Sequence, residues 1–334
     1  MPTRFDAVRH GFANALFQLS DFGRKGGRAI ERLTAASAML LAVTSAASAQ
    51  DIGTLDPKPL PPLANPSDPN NPAKELFGRK TAPAPLKTEV FGFYAKGCLA
   101  GAQALPINGP HWQVMRLSRN RNWGHPTLVK YIEHLSERGA KVGWPGLLVG
   151  DMAQPRGGPM LTGHASHQIG LDADIWLRPM PDHELSRQER EEMSATMVVA
   201  DDRKEVDPKV WTPAHFAIIK AAAEDPLVER VFVNAAIKKK LCEGAGSDRA
   251  WLQKVRPYWE HDYHFHVRIK CPDDSLECKH QDPVPAGDGC GKELDWWFTD
   301  AVLHPKPSPV PEKPRPPIKM ADLPQACRAV LAAP

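Results

Sequence analysis

Three absences narrow the field before any motif is read. No charge of either sign predominates, since 42 lysines and arginines face 39 aspartates and glutamates. A chain so balanced lacks the basic footprint that nucleic-acid phosphates select, which argues against that class of partner. No C-x-x-C occurs among the six cysteines (Cys98, Cys242, Cys271, Cys278, Cys290 and Cys327), so the usual zinc-ribbon and knuckle spacings are missing. The apolar run at 33–43 (LTAASAMLLAV) falls short of the ~20 residues a helix needs to cross a bilayer. No internal repeat is apparent.

That short run has another use. Arg28 and Arg32 precede it, and Ala47-Ser48-Ala49 follows with small residues at the −3 and −1 positions. A charged stretch, a short apolar stretch and an A-x-A site make the layout of a secretory signal. Residues 1–49 are therefore expected to be removed, so that the mature chain begins at Gln50 and has no membrane span. Their loss takes six basic and three acidic residues from the totals, leaving 36 of each. All six cysteines lie beyond the signal. An even number in an exported chain favours disulfides in an oxidising compartment, with fifteen pairings open on arithmetic alone.

Proline is the one residue in excess, with 34 in the chain, concentrated at 55–86 and 304–317. Such stretches form extended spacers. The expected organisation is a flexible lead-in at 50–89, a domain at 90–303 and a proline-rich tail at 304–334. Within the domain, Pro126 opens a helical pattern with Leu128, Ile132 and Leu135 on one face and Gly139 as its stop. Residues 146–151 (GLLVGD) read as a short buried strand, leading into the glycine-rich QPRGGP loop. Residues 169–177 (IGLDADIWL) alternate like a half-buried strand. Thr212 and Pro213 start a helix carrying Phe216, Ile219 and Ala222 on one side. Residues 228–233 and 263–269 follow as strands, with a short helix at 235–241. The pattern predicts an α+β fold, with a small, mostly antiparallel sheet, flanking helices and long disulfide-linked loops.

Two histidine clusters carry the chemistry. In GHASHQIGLDADIW, His167 and Asp174 are seven residues apart with Gly170 between them, so the chain can turn and bring imidazole toward carboxylate. Asp172 and Asp174 lie two apart on the strand and share a face. In HDYHFH, His264 and His266 also share a strand face, so both can bind a metal, or one can bind while the other handles protons. H-x-H alone is weak; the two clusters together in an exported, disulfide-bonded chain are stronger. Mixed imidazole and carboxylate donors suit Zn²⁺, and three protein donors with an open fourth position are the catalytic pattern.

These stretches, SHQIGLDADIW and EHDYHFHVRIKC with SRNRNWGHP upstream, resemble the penicillin-insensitive murein endopeptidases. Those belong to a wider group of zinc peptidases that includes D-Ala-D-Ala dipeptidases and lysostaphin-type enzymes. The resemblance runs from about Phe91 to Cys327. H-x-x-G-x-x-x-D followed by a distant H-x-H is specific for the group, and GHASHQ, DRAWLQKVRP, CPDDSLEC and GDGCG narrow it to the endopeptidase. It implies His167, Asp174 and His266 as zinc ligands, His264 as general base or transition-state stabiliser, and His261 as its active-site neighbour. His164 matches a further histidine that can approach a metal. The resemblance also brings in a second metal position, built from a downstream aspartate and histidine. Here Asp202 is the candidate carboxylate, but Glu205 stands where the histidine is expected, which weakens that position. Disulfides Cys98–Cys327, Cys242–Cys290 and Cys271–Cys278 are implied in the same way, the first tying the tail back to the domain.

The implied substrate is peptidoglycan in the periplasm, and the implied reaction is hydrolysis of D-alanyl–diaminopimelyl crosslinks by metal-activated water. Arg119 and Arg121 are candidates to grip substrate carboxylates, since guanidinium pairs with them bidentately; a solvated loop is the equal alternative. The rival to an enzyme is an inactive exported zinc protein of the same fold that only binds peptidoglycan. His264 argues against it, because a binder needs no base.

Overall fold

The computed structural model describes residues 52–306 and 316–334. The expected signal at 1–49 and the start at Gln50 lie outside the described residues.

The strands are β1 (Glu89–Phe93), β2 (Lys96–Ala100), β3 (Gln103–Ala104), β4 (Asn108–Gly109), β5 (Trp112–Val114), β6 (Trp123–Gly124), β7 (Leu147–Val149), β8 (Asp172–Trp176), β9 (Val228–Val233), β10 (Val255–Pro257) and β11 (His264–Ile269). The longer helices are α1 (Ala73–Phe77), α2 (Pro126–Lys141), α3 (Arg187–Glu192), α4 (Pro213–Glu224) and α5 (Ala235–Gly244). Two single turns, α6 (Lys292–Asp295) and α7 (Asp300–Leu303), precede the last helix, α8 (Ala326–Ala332). None of the helices among the described residues is long and apolar enough to cross a membrane.

The main sheet runs β10-β9-β11-β8-β7-β5-β4. Four of its six pairings are antiparallel, with β10·β9 and β5·β7 parallel, as an α+β architecture allows. Four of its seven strands, β4, β5, β7 and β10, span only two or three residues. The longer β8, β9 and β11 make the centre. Every residue of β8 and β11 is buried, so the half-buried alternation expected at 169–177 does not appear. The reason is position: both strands are flanked on either side, and their second face is filled by the buried polar groups described below.

Two helices cover the sheet. His125 caps α2 by accepting from the Thr127 amide at 3.2 Å, and Pro126 occupies the first turn, where a missing N–H costs nothing. Leu128, Ile132 and Leu135 are buried as the pattern predicts. Gly139 does not end this helix, which continues to Lys141; the left-handed turn falls at Gly143 instead. Gly139 serves a close approach: a Cβ there would stand 2.9 Å from Ile218 Cδ1 of α4. Helix α4 packs in turn against β9.

A smaller apolar cluster lies apart from this core. Phe77 of α1, Phe91, Cys98, Leu323, Cys327 and Val330 bury one another there. The lead-in is thus anchored at α1, and the tail at α8. Three disulfides, Cys98–Cys327, Cys242–Cys290 and Cys271–Cys278, use all six cysteines. The first closes a separation of 229 residues, which on chain entropy alone disfavours the unfolded state by about 5 kcal/mol. Arg156, from the QPRGGP loop, reinforces the joint. Its guanidinium donates to the carbonyls of Val330, Leu331 and Ala333 at 3.0, 3.0 and 2.6 Å, groups that a helix end leaves unpartnered.

Candidate metal centre

Strand register builds half of the site. In the antiparallel pair β8·β11, His266 lies opposite Asp174, His264 opposite Trp176 and Arg268 opposite Asp172. Alternation then places both carboxylates, both imidazoles and the guanidinium on one face. The other half arrives on the loop between β7 and β8. Its sharp entry uses left-handed residues at His167 (φ 64°) and Gly170 (φ 68°). At Gly170 only glycine fits, because a Cβ would come within 2.4 Å of Leu99. His167 is a non-glycine residue in a costly conformation, held there partly by its amide, which donates to Asp172 Oδ2 at 3.1 Å.

All five histidines singled out from the sequence come together. Successive ring centroids are 4.4 Å (His164–His167), 4.5 Å (His167–His266), 5.8 Å (His266–His261) and 4.7 Å (His261–His264) apart. Asp174 sits among them. Its Oδ1 is 3.4 Å from His167 Nε2, 3.4 Å from His266 Nδ1 and 3.5 Å from His264 Nε2, while Oδ2 is 3.5 Å from His164 Nε2. His164, His167 and Asp174 form a group with donor atoms within 4.8 Å of one another, able to hold a metal ion.

The donor atoms of Asp174 Oδ1 and His167 have no other employment. Asp174 Oδ1 and both ring nitrogens of His167 are buried without a hydrogen-bond partner, as is His264 Nδ1. Buried polar atoms without partners are costly, and so many in one place call for an explanation. Donor separations of 3.4–3.5 Å are long for hydrogen bonds. They match the ~3.3–3.6 Å edges of a tetrahedron drawn around an ion with bonds of about 2.0–2.2 Å. The donor set therefore fits a divalent cation of zinc type.

Electrostatics point the same way. Burial opposes charge on Asp174, but His167, His264 and His164 around it hold its carboxyl well below the usual range. Burial pushes the His266 imidazole down to about 4 and His264 well below its ordinary value, so both are neutral near pH 7. A neutral ring has the lone pair that a ligand or a base requires. His164 differs: burial works against its protonation, but Asp174 and Asp151 outweigh it and raise its pKa.

Two further carboxylates complete the frame, Asp172, which shares the strand face of Asp174, and Asp151. Asp172, fully buried, lies 3.1 Å from His266 Nε2 and accepts from Arg268 Nε at 2.7 Å. A carboxylate behind a metal-facing imidazole fixes the ring's orientation. Asp151, just past β7, draws in Arg119 (3.1 Å), Arg121 (2.8 Å) and His164 (3.0 Å) through one oxygen. Both arginines are thus engaged in placing the His164 loop, the tie being strengthened by Arg121 donating to the Thr162 carbonyl at 3.0 Å. The acidic residue ending GLLVGD was the only signal for Asp151. His261 is fixed through Nδ1, which donates to the Trp259 carbonyl at 2.7 Å. Asp202 is exposed and turns onto the Lys204 amide at 3.0 Å; among the described residues it belongs to no metal-holding group.

The fold and this site define an α+β protein with a largely buried histidine–aspartate group able to hold a metal ion. Residues 90–332 match the family described as penicillin-insensitive murein endopeptidase, and the chain belongs to that family. Among similar proteins, the penicillin-insensitive murein endopeptidase of Haemophilus influenzae is 51% identical over 231 residues, covering 69% of this chain and 78% of the relative. That of Escherichia coli O1:K1 is 46% identical over 252 residues, covering 75% and 89%.

Proposed function

We propose that this chain is an exported zinc endopeptidase of the periplasm that hydrolyses D-alanyl–diaminopimelyl crosslinks in peptidoglycan. The observation that carries the reading is Asp174 Oδ1, buried without a hydrogen bond and ringed by three imidazole nitrogens at 3.4–3.5 Å. The names of the relatives, both murein endopeptidases, support the substrate.

His167 through Nε2, His266 through Nδ1 and Asp174 through Oδ1 would hold the ion, with His164 a further donor on the Oδ2 side. Zinc bound there supplies Lewis-acid polarisation of a carbonyl and acidifies water toward ~7. His264, kept neutral by burial, takes the proton of the attacking water and returns it to the leaving amine. With Nδ1–H committed to Trp259, His261 presents the lone pair of Nε2 toward the centre and orients the reacting groups. Asp172, itself clamped by Arg268, keeps His266 from rotating. None of these steps uses a serine, so β-lactams that acylate serine have no target here.

Purified protein incubated with crosslinked muropeptide dimers should release monomers, lose that activity to a chelator and regain it with Zn²⁺. Dimers retained by the protein but left uncut, with zinc present, would replace this reading with that of the inactive peptidoglycan binder.

A further inference from the structure

Beyond the histidines lies a group of aromatic side chains that no step above uses. Trp296 is 52% exposed and Tyr258 46%, values unusual for residues that lose so much by facing water. They belong to one continuous surface. Trp259 packs against Trp297 at 4.9 Å and Trp296 at 6.4 Å, and Trp296 meets Trp297 edge-on at 5.2 Å. Tyr258, Trp259 and Trp297, with Asn234, Arg203 and Leu303, line a shallow recess on that surface.

This shelf is joined to the centre by two residues. Glu260 and His261 both adopt left-handed backbone (φ 63° and 46°), a tight turn that returns the chain from Trp259 to the histidine cluster. Tyr258 lies 5.4 Å from the His261 ring, and the Trp259 carbonyl is what fixes that ring. A ligand reaching the centre from this side therefore crosses the aromatic surface.

We infer that Tyr258, Trp259, Trp296 and Trp297 form a subsite for the N-acetylated sugars of the glycan strand, beside the peptide-cutting centre. The inference rests on the murein reading and deepens it. Flat, exposed aromatic faces with polar edges suit a ligand with one apolar face and hydroxyl groups around its rim. The exposed ionic residues flanking the shelf have mixed sign: Glu260, Asp295 and Asp300 against Arg203. The balance is acidic, three carboxylates to one guanidinium, and it repels the carboxylates of a stem peptide, so a neutral sugar is favoured. Polar partners for hydroxyls are at hand in those same carboxylates.

The test compares two substrates, the crosslinked muropeptide dimer and the same crosslinked peptide with its sugars removed by an amidase. The full chain should cleave the sugar-bearing dimer with about tenfold higher kcat/KM, expressed mainly in KM, the scale of one good aromatic stack. Trp296→Ala should collapse that ratio toward one, and Trp296→Phe should restore most of it. Equal cleavage of both substrates by the unaltered chain, or a ratio untouched by Trp296→Ala, would overturn the subsite. Tryptophan fluorescence titrated with an oligomer of N-acetylglucosamine reads binding without catalysis. A saturable shift lost in Trp296→Ala supports the shelf even if neither peptide is cut, in which case only the endopeptidase reading fails. No shift in the unaltered chain counts against the shelf whatever the activity.

Discussion

The two pairs of histidines at the centre are held by different means. His264 and His266 stand on β11, a central strand hydrogen-bonded on both sides, and their positions follow from register alone. His164 and His167 lie on a loop with no ladder to fix them. Their placement needs an uncommon backbone at His167, a glycine at Gly170, the amide bond to Asp172 and the Asp151 ion pairs with Arg119 and Arg121. A strand positions a ligand through its backbone, and a loop must do so with buried charge. The lesson is that Asp151 and Asp172, which touch no substrate in the proposed mechanism, matter chiefly to the loop and to ring orientation.

The largest effects should come from the strand side, and there the comparison can be broken outright. His266→Ala removes a proposed ligand and should lower zinc content and cleavage together, by a factor of 10³ or more in turnover, since both Lewis acid and acidified water go with the metal. His264→Ala should keep zinc near one equivalent and lose roughly 10²–10⁴ in turnover, the usual contribution of a positioned acid–base group. Metal analysis beside a muropeptide assay separates the two. Zinc lost from His264→Ala and kept by His266→Ala would exchange the roles of these neighbours, and undiminished turnover in His264→Ala would remove it from the reaction.

A smaller effect is expected where strand and loop meet. Asp172→Asn keeps the shape but removes the charge that pairs with Arg268 and faces His266. Loss of a carboxylate behind a metal-facing histidine typically costs 10–100-fold in metal affinity or activity. The zinc dissociation constant, measured by competition with a chromogenic chelator, should rise within that range. An unchanged constant would mean that register alone holds His266, making the strand wholly independent of its supporting carboxylate.

These differences also explain what could be read from the sequence. D-x-D and H-x-H announce shared faces because a strand repeats every two residues, and every histidine named on that basis or by resemblance lies in the cluster. Which residue faces which across the ladder is not written in either segment, so the Asp172–His266–Arg268 chain appears only in three dimensions. Asp151 is thirteen residues from His164 and thirty from Arg121, contacts that only the folded loop creates. Gly139 misled for a related reason: as a local signal it says stop, but packing against Ile218 keeps it inside the helix. The aromatic shelf was hidden likewise, because Tyr258 and Trp296 are far apart along the chain.

The mildest test addresses the loop alone. Asp151→Asn keeps an acceptor for Arg121 but removes the charge that gathers Arg119, Arg121 and His164 on one oxygen. In the unaltered chain, Arg121, His164 and Arg119 overcome the cost of burial and keep Asp151 ionised far below neutrality. Neutralising it leaves two guanidiniums facing an uncharged amide. Asp151 is buried and Arg121 keeps only 10% of its side chain in water, so solvent offsets only part of the loss, and a clear fall in melting temperature is expected. His164 should lose its tether and shift. If it is the supplementary donor proposed here, zinc stays near one equivalent and kcat falls by about tenfold, the effect of a misplaced but not missing group. Arg121→Ala should resemble Asp151→Asn, because both cut the same tie. If instead Asp151→Asn sheds its zinc as completely as His266→Ala, the loop carries the metal on equal terms with the strand, and the contrast between the two pairs of histidines disappears.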